Sequence, residues 1–552
     1  MPLTSIRLLN FKSFEDSGEI KLAPLTVLFG RNNTGKSSII QSLLLLCQTL
    51  DAPADVARLN LRGPVYAAGT YADLVHKHQL KQNMTLELGV SVRGTSRSGH
   101  LELQFKSDEP QAPRLARLTV NSPNAEPLAV SRGRGAGGPY EMMIGQDNLG
   151  GEKKANFRFS VNQFLPLIGE EPSHVGRPST RREQCRTAAR QILREVDESL
   201  RSTRAIGAFR RQPDRRYEYQ GRPPEGVDVT GLHVIDALLE DANRRRKRGE
   251  LIRGVNRWLE KVGRVRLLPI RGISRHAKIY EIRLKDTDSG RWANFADVGF
   301  GIAQALPVIV EGLRTPEGGM FLVQEPEIHL HPDAQLAMAD FLIGLVRSNR
   351  RVIVETHSEN ILLRIRHAVV THTNKASNGR AGLAPDDISI VHVHKTEDGA
   401  SHADRLDLDE LGQIRNWPRG FMEEATEERM RILEDMSRTA KRDRDARAVA
   451  PPLVSSSKNA RTKSLRGSGT CCRYSASSLR LISETTAAGR ANAGTTPATA
   501  GSPGRTTMCC ERQSAMPARP SSPRKIACSP PTPASTAGFA CMCRIRRPET
   551  HP

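Results

Sequence analysis

Apolar and polar positions alternate from the start of the chain. Ser5-Ile6-Arg7-Leu8-Leu9-Asn10-Phe11 and Ile20-Lys21-Leu22 read as two strands joined by a polar turn. The apolar run Leu25-Thr26-Val27-Leu28-Phe29 reads as a third strand. From Ile39 the pattern becomes nearly continuous and apolar through Leu46, which predicts a helix reaching about Leu50. Gly63 to His78 is a connection punctuated by glycine. Residues 80–135 alternate again, as in Met84-Thr85-Leu86-Glu87-Leu88-Gly89-Val90 and Leu101-Glu102-Leu103-Gln104-Phe105, before a glycine-rich loop at Gly133–Gly138. Between 181 and 260 the period lengthens to a helical one, rich in Arg and Glu and interrupted by PDRRYEYQGRPPEG. From Phe295 a compact α/β pattern returns. It predicts a helix over Ile302–Arg314, a strand at Met320–Val323, a helix over Asp333–Arg347, and strands at Arg351–Val354 and Ile388–His394. A hairpin or turn over Asp404–Ile414 and an acidic helix over Glu423–Met436 complete it.

Gly30-Arg31-Asn32-Asn33-Thr34-Gly35-Lys36-Ser37 lies between the third strand and the long helix. The spacing GxxxxGKS in a strand–loop–helix context matches a P-loop, whose backbone N–H groups and helix N-terminus cradle phosphates. Lys36 is expected at the β- and γ-phosphates of ATP and the Ser37 hydroxyl at Mg²⁺, with Ser38 closing the phosphate-binding set. Three later segments match the remaining parts of an ABC-type ATPase head. Met320-Phe321-Leu322-Val323-Gln324-Glu325-Pro326 is an apolar strand ending in a polar pair. In a Walker B motif the first of that pair, here Gln324, helps hold Mg²⁺, and the second, Glu325, polarises the attacking water. Val352-Ile353-Val354-Glu355-Thr356-His357 is another strand, and its His357 is positioned to reach the γ-phosphate. Asp297-Val298-Gly299-Phe300-Gly301-Ile302-Ala303-Gln304 precedes an apolar helix where a signature motif belongs, so Gly301 and Gln304 are expected at a γ-phosphate held by a second subunit. Glu327-Ile328-His329-Leu330-His331-Pro332 stands where a dimer-facing loop belongs. The spacing of His329 and His331 would allow two metal ligands on one face of an extended segment, but no third ligand is near in sequence.

Charge and cysteine change the picture mainly at the far end. The chain of 552 residues has a net charge of +22, of which residues 447–552 carry +13. That segment is rich in Ser, Thr, Pro, Gly and Ala and has no apolar periodicity, so a disordered basic tail is expected. It also holds seven of the nine cysteines, leaving Cys47 and Cys185 in a body that reads as cytoplasmic rather than disulfide-stapled. No apolar run reaches transmembrane length. The run Arg244-Arg245-Arg246-Lys247-Arg248 reads either as a solvated face or as a patch for a nucleic-acid backbone, with Tyr217 and Tyr219 as candidates for base stacking.

The strings IRLLNFKSF, LFGRNNTGKSS, DVGFGIAQALPVIV, EPEIHLHP, ETHSENILLRIR and NWPRGFMEE occur in this order. On them the chain resembles a bacterial RecF/SMC-like AAA family ATPase with an ABC-type head and a DUF3696-type C-terminal region. The resemblance implies an α/β fold: a two-lobed ABC-type ATPase head, a P-loop NTPase, with a mixed strand/helix Arg-rich insert. It divides the chain into 1–80 with the P-loop, an insert at 81–290, the second part of the head at 291–400, a short region at 401–438 and the tail at 439–552. It implies ATP and Mg²⁺ as cofactors and ATP hydrolysis with Lys36, Glu325 and His357 as catalytic residues. The implied partners are a second copy of the chain across composite ATP sites, an effector protein, and double-stranded DNA, in anti-phage or mobile-element settings. Two positions depart from the pattern, because Ala303 stands where Ser is common and Gln324 where an acid is common. Slow hydrolysis, or an ATP-binding scaffold, is the alternative these departures favour. An intrinsic nuclease is a further one, resting on the lone Asp407-Leu408-Asp409.

Overall fold

The computed structural model describes residues 3–449 apart from 52–56, 94–97, 108–112, 134–137, 160–163, 171–179, 220, 222–227, 245–248, 275–277, 374–381 and 419–423. Two large sheets organise it. Leu3–Phe11 pairs antiparallel with Phe14–Asp16, Ile20–Lys21 and Met84–Ser91. The sheet then continues antiparallel, strand by strand, through Ser98–Lys106, Arg114–Ser122, Ala125–Arg132, Tyr140–Ile144 and Asp147–Gly151. The helix Thr180–Arg201 packs across it, burying Ile192, Val196 and Leu200.

The second sheet has six strands in the order Arg204–Ile206, Met320–Gln324, Arg351–Glu355, Leu25–Phe29, Ile388–Lys395 and Ser401–Leu406. The first five are parallel and the last is antiparallel to its neighbour. Leu25–Phe29 and Arg351–Glu355 are buried at every position, as parallel strands covered on both faces must be. Side chains alternate between two cores. Leu28, Leu322 and Ile353 share one with the helix Lys36–Asp51, whereas Val27, Val323 and Val354 share the other with the helices Phe300–Arg314, Pro332–Arg347 and Glu359–Thr373.

The elements expected around the P-loop and after Phe295 lie within one or two residues of their predicted bounds. Three differences have physical causes. Arg204–Ile206, inside the span expected as an insert, is an edge strand of the six-stranded sheet, and three residues are too few to show a period. Asp404–Leu406, at the start of the region expected as hairpin or turn, belong to the strand Ser401–Leu406, which is held by pairing with Ile388–Lys395. The helix expected to stop near Met436 spans Glu424–Val449. Ion pairs at helical spacing, Arg431–Glu428 and Arg438–Glu434, support its exposed surface. The expectations for Arg245–Arg248, for 419–423 within NWPRGFMEE and for the tail beyond 449 lie outside the described residues. The Tyr217 hydroxyl accepts the Asp214 N–H, and Tyr219 sits edge-on to Tyr280. Among the described residues no helix is long and apolar enough to cross a membrane.

Candidate functional site

The site forms where the parallel strands end. Leu25–Phe29 runs into the loop Gly30–Gly35, which turns into the helix starting at Lys36. Two glycines make the turn. Gly30 has φ +148°, and a Cβ there would lie 2.1 Å from the Val393 carbonyl oxygen. Gly35 has φ +99°, and a Cβ would lie 2.5 Å from Ser13 Oγ. Arg31, Asn32 and Asn33 are exposed at the crest, whereas Thr34 is buried and donates its hydroxyl to the Arg31 carbonyl. Ser38 is buried, with its N–H bonded to the Gly35 carbonyl.

Lys36 is buried, and its ammonium donates to the carbonyls of Gly30 at 3.0 Å and Arg31 at 2.8 Å. Burial pushes its pKa down, opposed by the charges of Glu355 and Glu325. Ser37 Oγ donates to Glu355 Oε1 at 2.7 Å, and Gln324 Nε2 donates to Glu355 Oε2 at 2.7 Å. Hydroxyl, carboxylate and amide thus converge beside the P-loop. Their oxygens are the hard donors that Mg²⁺ takes, so the residues present fit that ion.

Glu325 follows at the end of its strand with φ +45°, a conformation a residue with Cβ rarely adopts. Its N–H donates to the Glu355 carbonyl at 2.7 Å. His357 Nε2 lies 3.9 Å from Glu325 Oε1. Burial lowers the His357 pKa, reinforced by Lys36 and opposed by Glu325 and Glu355, which keeps the imidazole neutral at pH 7. Lys36, Ser37, Gln324, Glu325 and His357 thus lie near one another, linked through Glu355 and by the Glu325–His357 approach.

The signature-like segment behaves less uniformly. Phe300 is exposed and Gly301 partly so at the start of the helix Phe300–Arg314, while Ala303 and Gln304 are buried in it. Gly301 lies so close to the next loop that a Cβ would be 2.5 Å from the His329 carbonyl oxygen. The ring of Phe300 stacks edge-on against His329 at 4.6 Å. His331 leads into the helix Pro332–Arg347, 3.8 Å from Asp333. Asp409, from the lone acidic pair, accepts the N–H groups of Leu411 and Gln413 and so closes a turn. Among the described residues no group of three or more His, Cys, Asp or Glu side chains is arranged to hold a metal.

Three residues that the sequence reading did not weigh are part of the site. Glu355 is buried and aligned with Gln324 across the strand pair. Its sequence signal was an acid ending an apolar strand just before Thr356-His357. Glu327 is buried and accepts the Thr356 hydroxyl and the His357 N–H, each at 2.7 Å, and burial raises its pKa. Arg210 is buried as well, and its guanidinium donates to the carbonyls of Gln304, Gln324 and Glu325. No sequence pattern announces it.

A phosphate-binding loop on a parallel sheet, with a carboxylate and an imidazole at the neighbouring strand ends, defines a P-loop ATPase. A family model of the AAA ATPase domain matches residues 1–88 and 269–362, the two stretches that carry these parts. The chain thus contains an AAA-type ATPase domain, a class that binds and hydrolyses ATP with Mg²⁺. Among solved structures, an Smc head bound to the C-winged helix domain of ScpA is similar at 14% identity and a TM-score of 0.36, over 74% of this chain and 98% of that one. The SMC head domain from Thermotoga maritima is similar at 12% identity and 0.32, over 74% and 99%. The Smc head domain with an extended coiled coil, bound to the C-terminal domain of ScpA derived from Pyrococcus furiosus, is similar at 12% and 0.36, over 79% and 100%. No curated protein matches the chain.

Proposed function

We propose that this chain is an ABC-type ATPase head of the RecF/SMC-like kind, which closes on ATP as a dimer and thereby regulates an effector protein or a process on double-stranded DNA. The observation that carries the reading is the juxtaposition of Lys36, Ser37, Glu325 and His357 beyond the C-terminal ends of the parallel strands. In it, backbone N–H groups of Gly30–Gly35 and the N-terminus of the helix at Lys36 hold the phosphates. Lys36 would neutralise the β- and γ-oxygens, and the Ser37 hydroxyl would help hold Mg²⁺, which supplies charge neutralisation at those phosphates when bound. Glu325 takes the proton of the attacking water, and neutral His357 offers a hydrogen bond at the γ-phosphate. The exposed rings beside the site support closure against a second copy: Phe209 is 94% exposed next to buried Arg210, and Phe300 is 45% exposed beside Gly301. The link to anti-phage defence rests on the family resemblance alone.

The test is steady-state ATP hydrolysis by the full chain, with and without double-stranded DNA, beside Lys36→Ala. Turnover that disappears in Lys36→Ala supports the reading, and turnover unaffected by that change refutes it. A second reading, an ATP-driven scaffold with slow hydrolysis, is favoured by Gln324, whose amide carries no charge. ATP-dependent dimerisation without turnover would select it.

A further inference from the structure

We infer that Glu355, not the residue at 324, is the anionic ligand through which this site holds the divalent cation of its nucleotide. The inference rests on the ATPase reading above and adds to it the identity of the metal-binding carboxylate.

The argument begins with sheet order. Arg351–Glu355 lies between Met320–Gln324 and the P-loop strand Leu25–Phe29. Neighbouring strands are about 4.8 Å apart, so Gln324 stands two strands away from the P-loop strand and Glu355 one. Glu355 is level with Leu28 on one side and Gln324 on the other. Its carboxylate therefore reaches Ser37 Oγ directly, at 2.7 Å, as a group that shares a cation with that hydroxyl must.

The second strand of the argument is charge. Glu355 is 3% exposed, and its oxygens are hydrogen-bonded to two neutral groups, the Ser37 hydroxyl and the Gln324 amide. Among the described residues it makes no ion pair. The charge of Lys36 acts on it without an ion pair, since two of the three ammonium protons are committed to the carbonyls of Gly30 and Arg31. A buried carboxylate whose hydrogen-bond partners are both neutral carries a desolvation cost that a cation at Ser37 would offset.

Gln324 then has a different task. Its amide N–H donates to the far oxygen of Glu355, which fixes the carboxylate plane and leaves Oε1 on the Ser37 side. Gln324 is thus a positioning residue, and the charge lost at 324 has moved one strand closer to the P-loop. The Glu355 carbonyl also accepts the Glu325 N–H at 2.7 Å, so the cation ligand and the backbone carrying the proposed general base are tied at one point.

The test uses the full chain and ADP, so that no turnover is involved. ADP affinity is measured by calorimetry in EDTA and in Mg²⁺, and Mn²⁺ binding in the presence of ADP by electron paramagnetic resonance. Glu355→Gln should retain the EDTA affinity, lose the Mg²⁺ enhancement and weaken Mn²⁺ by about 10–100-fold. Gln324→Ala should keep most of the enhancement. The exchange Gln324→Glu with Glu355→Gln preserves the charge count but leaves a neutral amide beside Ser37 and should restore only part of it. A parental Mg²⁺ enhancement in Glu355→Gln, or full restoration in the exchange variant, overturns the inference. A parent chain that binds ADP in neither condition overturns the ATPase reading itself.

Discussion

Replacing Arg210 by methionine separates stability from catalysis at this site. The guanidinium donates at 2.7 Å to the Gln324 carbonyl, at 3.0 Å to that of Glu325 and at 3.3 Å to that of Gln304. A hydrogen bond from a charged group contributes about 1.5–3 kcal/mol, so the two shorter bonds together represent about 3–6 kcal/mol. Against this stands the cost of burying the charge. Burial lowers the Arg210 pKa from its usual range to about 10, opposed by Glu327 and Glu325. That corresponds to a penalty on the order of 3 kcal/mol, which methionine does not incur. The net loss should be up to about 3 kcal/mol of unfolding free energy, read from urea titrations. Turnover should fall more steeply. Arg210 holds the carbonyl of Glu325, whose φ of +45° persists only while its surroundings enforce it. A carboxylate displaced by about 1 Å costs on the order of 100-fold in rate. ADP affinity should stay within a few-fold of the parent, because Arg210 donates to no P-loop residue. Unchanged stability together with unchanged turnover in Arg210→Met would refute the reasoning.

Three further outcomes follow from the same geometry. Gly30→Ala places a Cβ 2.1 Å from the Val393 carbonyl at φ +148°, so the loop must move; nucleotide binding should be lost and the melting temperature lowered, as a thermal scan with and without ADP would show. Glu325→Gln should reduce turnover by about 100-fold or more and accumulate an ATP-bound dimer, seen by light scattering after size-exclusion chromatography. His392 is held to a pKa of about 4, first by burial and then by His394, with Asp404 opposing. A depressed histidine stabilises the fold above its unfolded pKa of about 6.5, and that contribution is lost as pH falls towards the folded value. Comparing unfolding free energies at pH 7 and pH 5, the parent should lose more than His392→Phe does, by up to about 1.4 kcal/mol per pH unit.

The parts of the site that depend on neighbours in sequence were legible, and the parts that depend on register were not. Two glycines, a lysine and a serine at fixed spacing announce the P-loop because the turn itself needs them. His357 and Glu325 stand out in the sequence because each follows closely on an apolar strand. Glu355 ends the same strand that leads to His357, yet its alignment with Gln324 is a property of two strands 31 residues apart, which periodicity cannot supply. Arg210 is harder still. Its acceptors are carbonyls 94 to 115 residues away, and a carbonyl has no residue type to recognise. The strand Arg204–Ile206 escaped for a related reason, since only its parallel partner makes it a strand. Gln304 was expected at a γ-phosphate from its place in the signature-like segment, but helix rotation turns it inward, with Ala303, while leaving Phe300 outside.

The placement of Leu25–Phe29 bears on how the chain is made. Both of its sheet neighbours, Arg351–Glu355 and Ile388–Lys395, come from more than 300 residues later. A growing chain that already contains the whole P-loop therefore still lacks the two strands that flank it. Until about residue 395 has left the ribosome, this strand has two unpaired edges, each a row of backbone N–H and C=O groups, and its loop has no Val393 carbonyl to close against. The antiparallel sheet built mainly from 84–151 has its partners close in sequence and can form much earlier. Nucleotide should accordingly stabilise only the last folding step, and a nascent chain stalled before that point should be the species most dependent on chaperones.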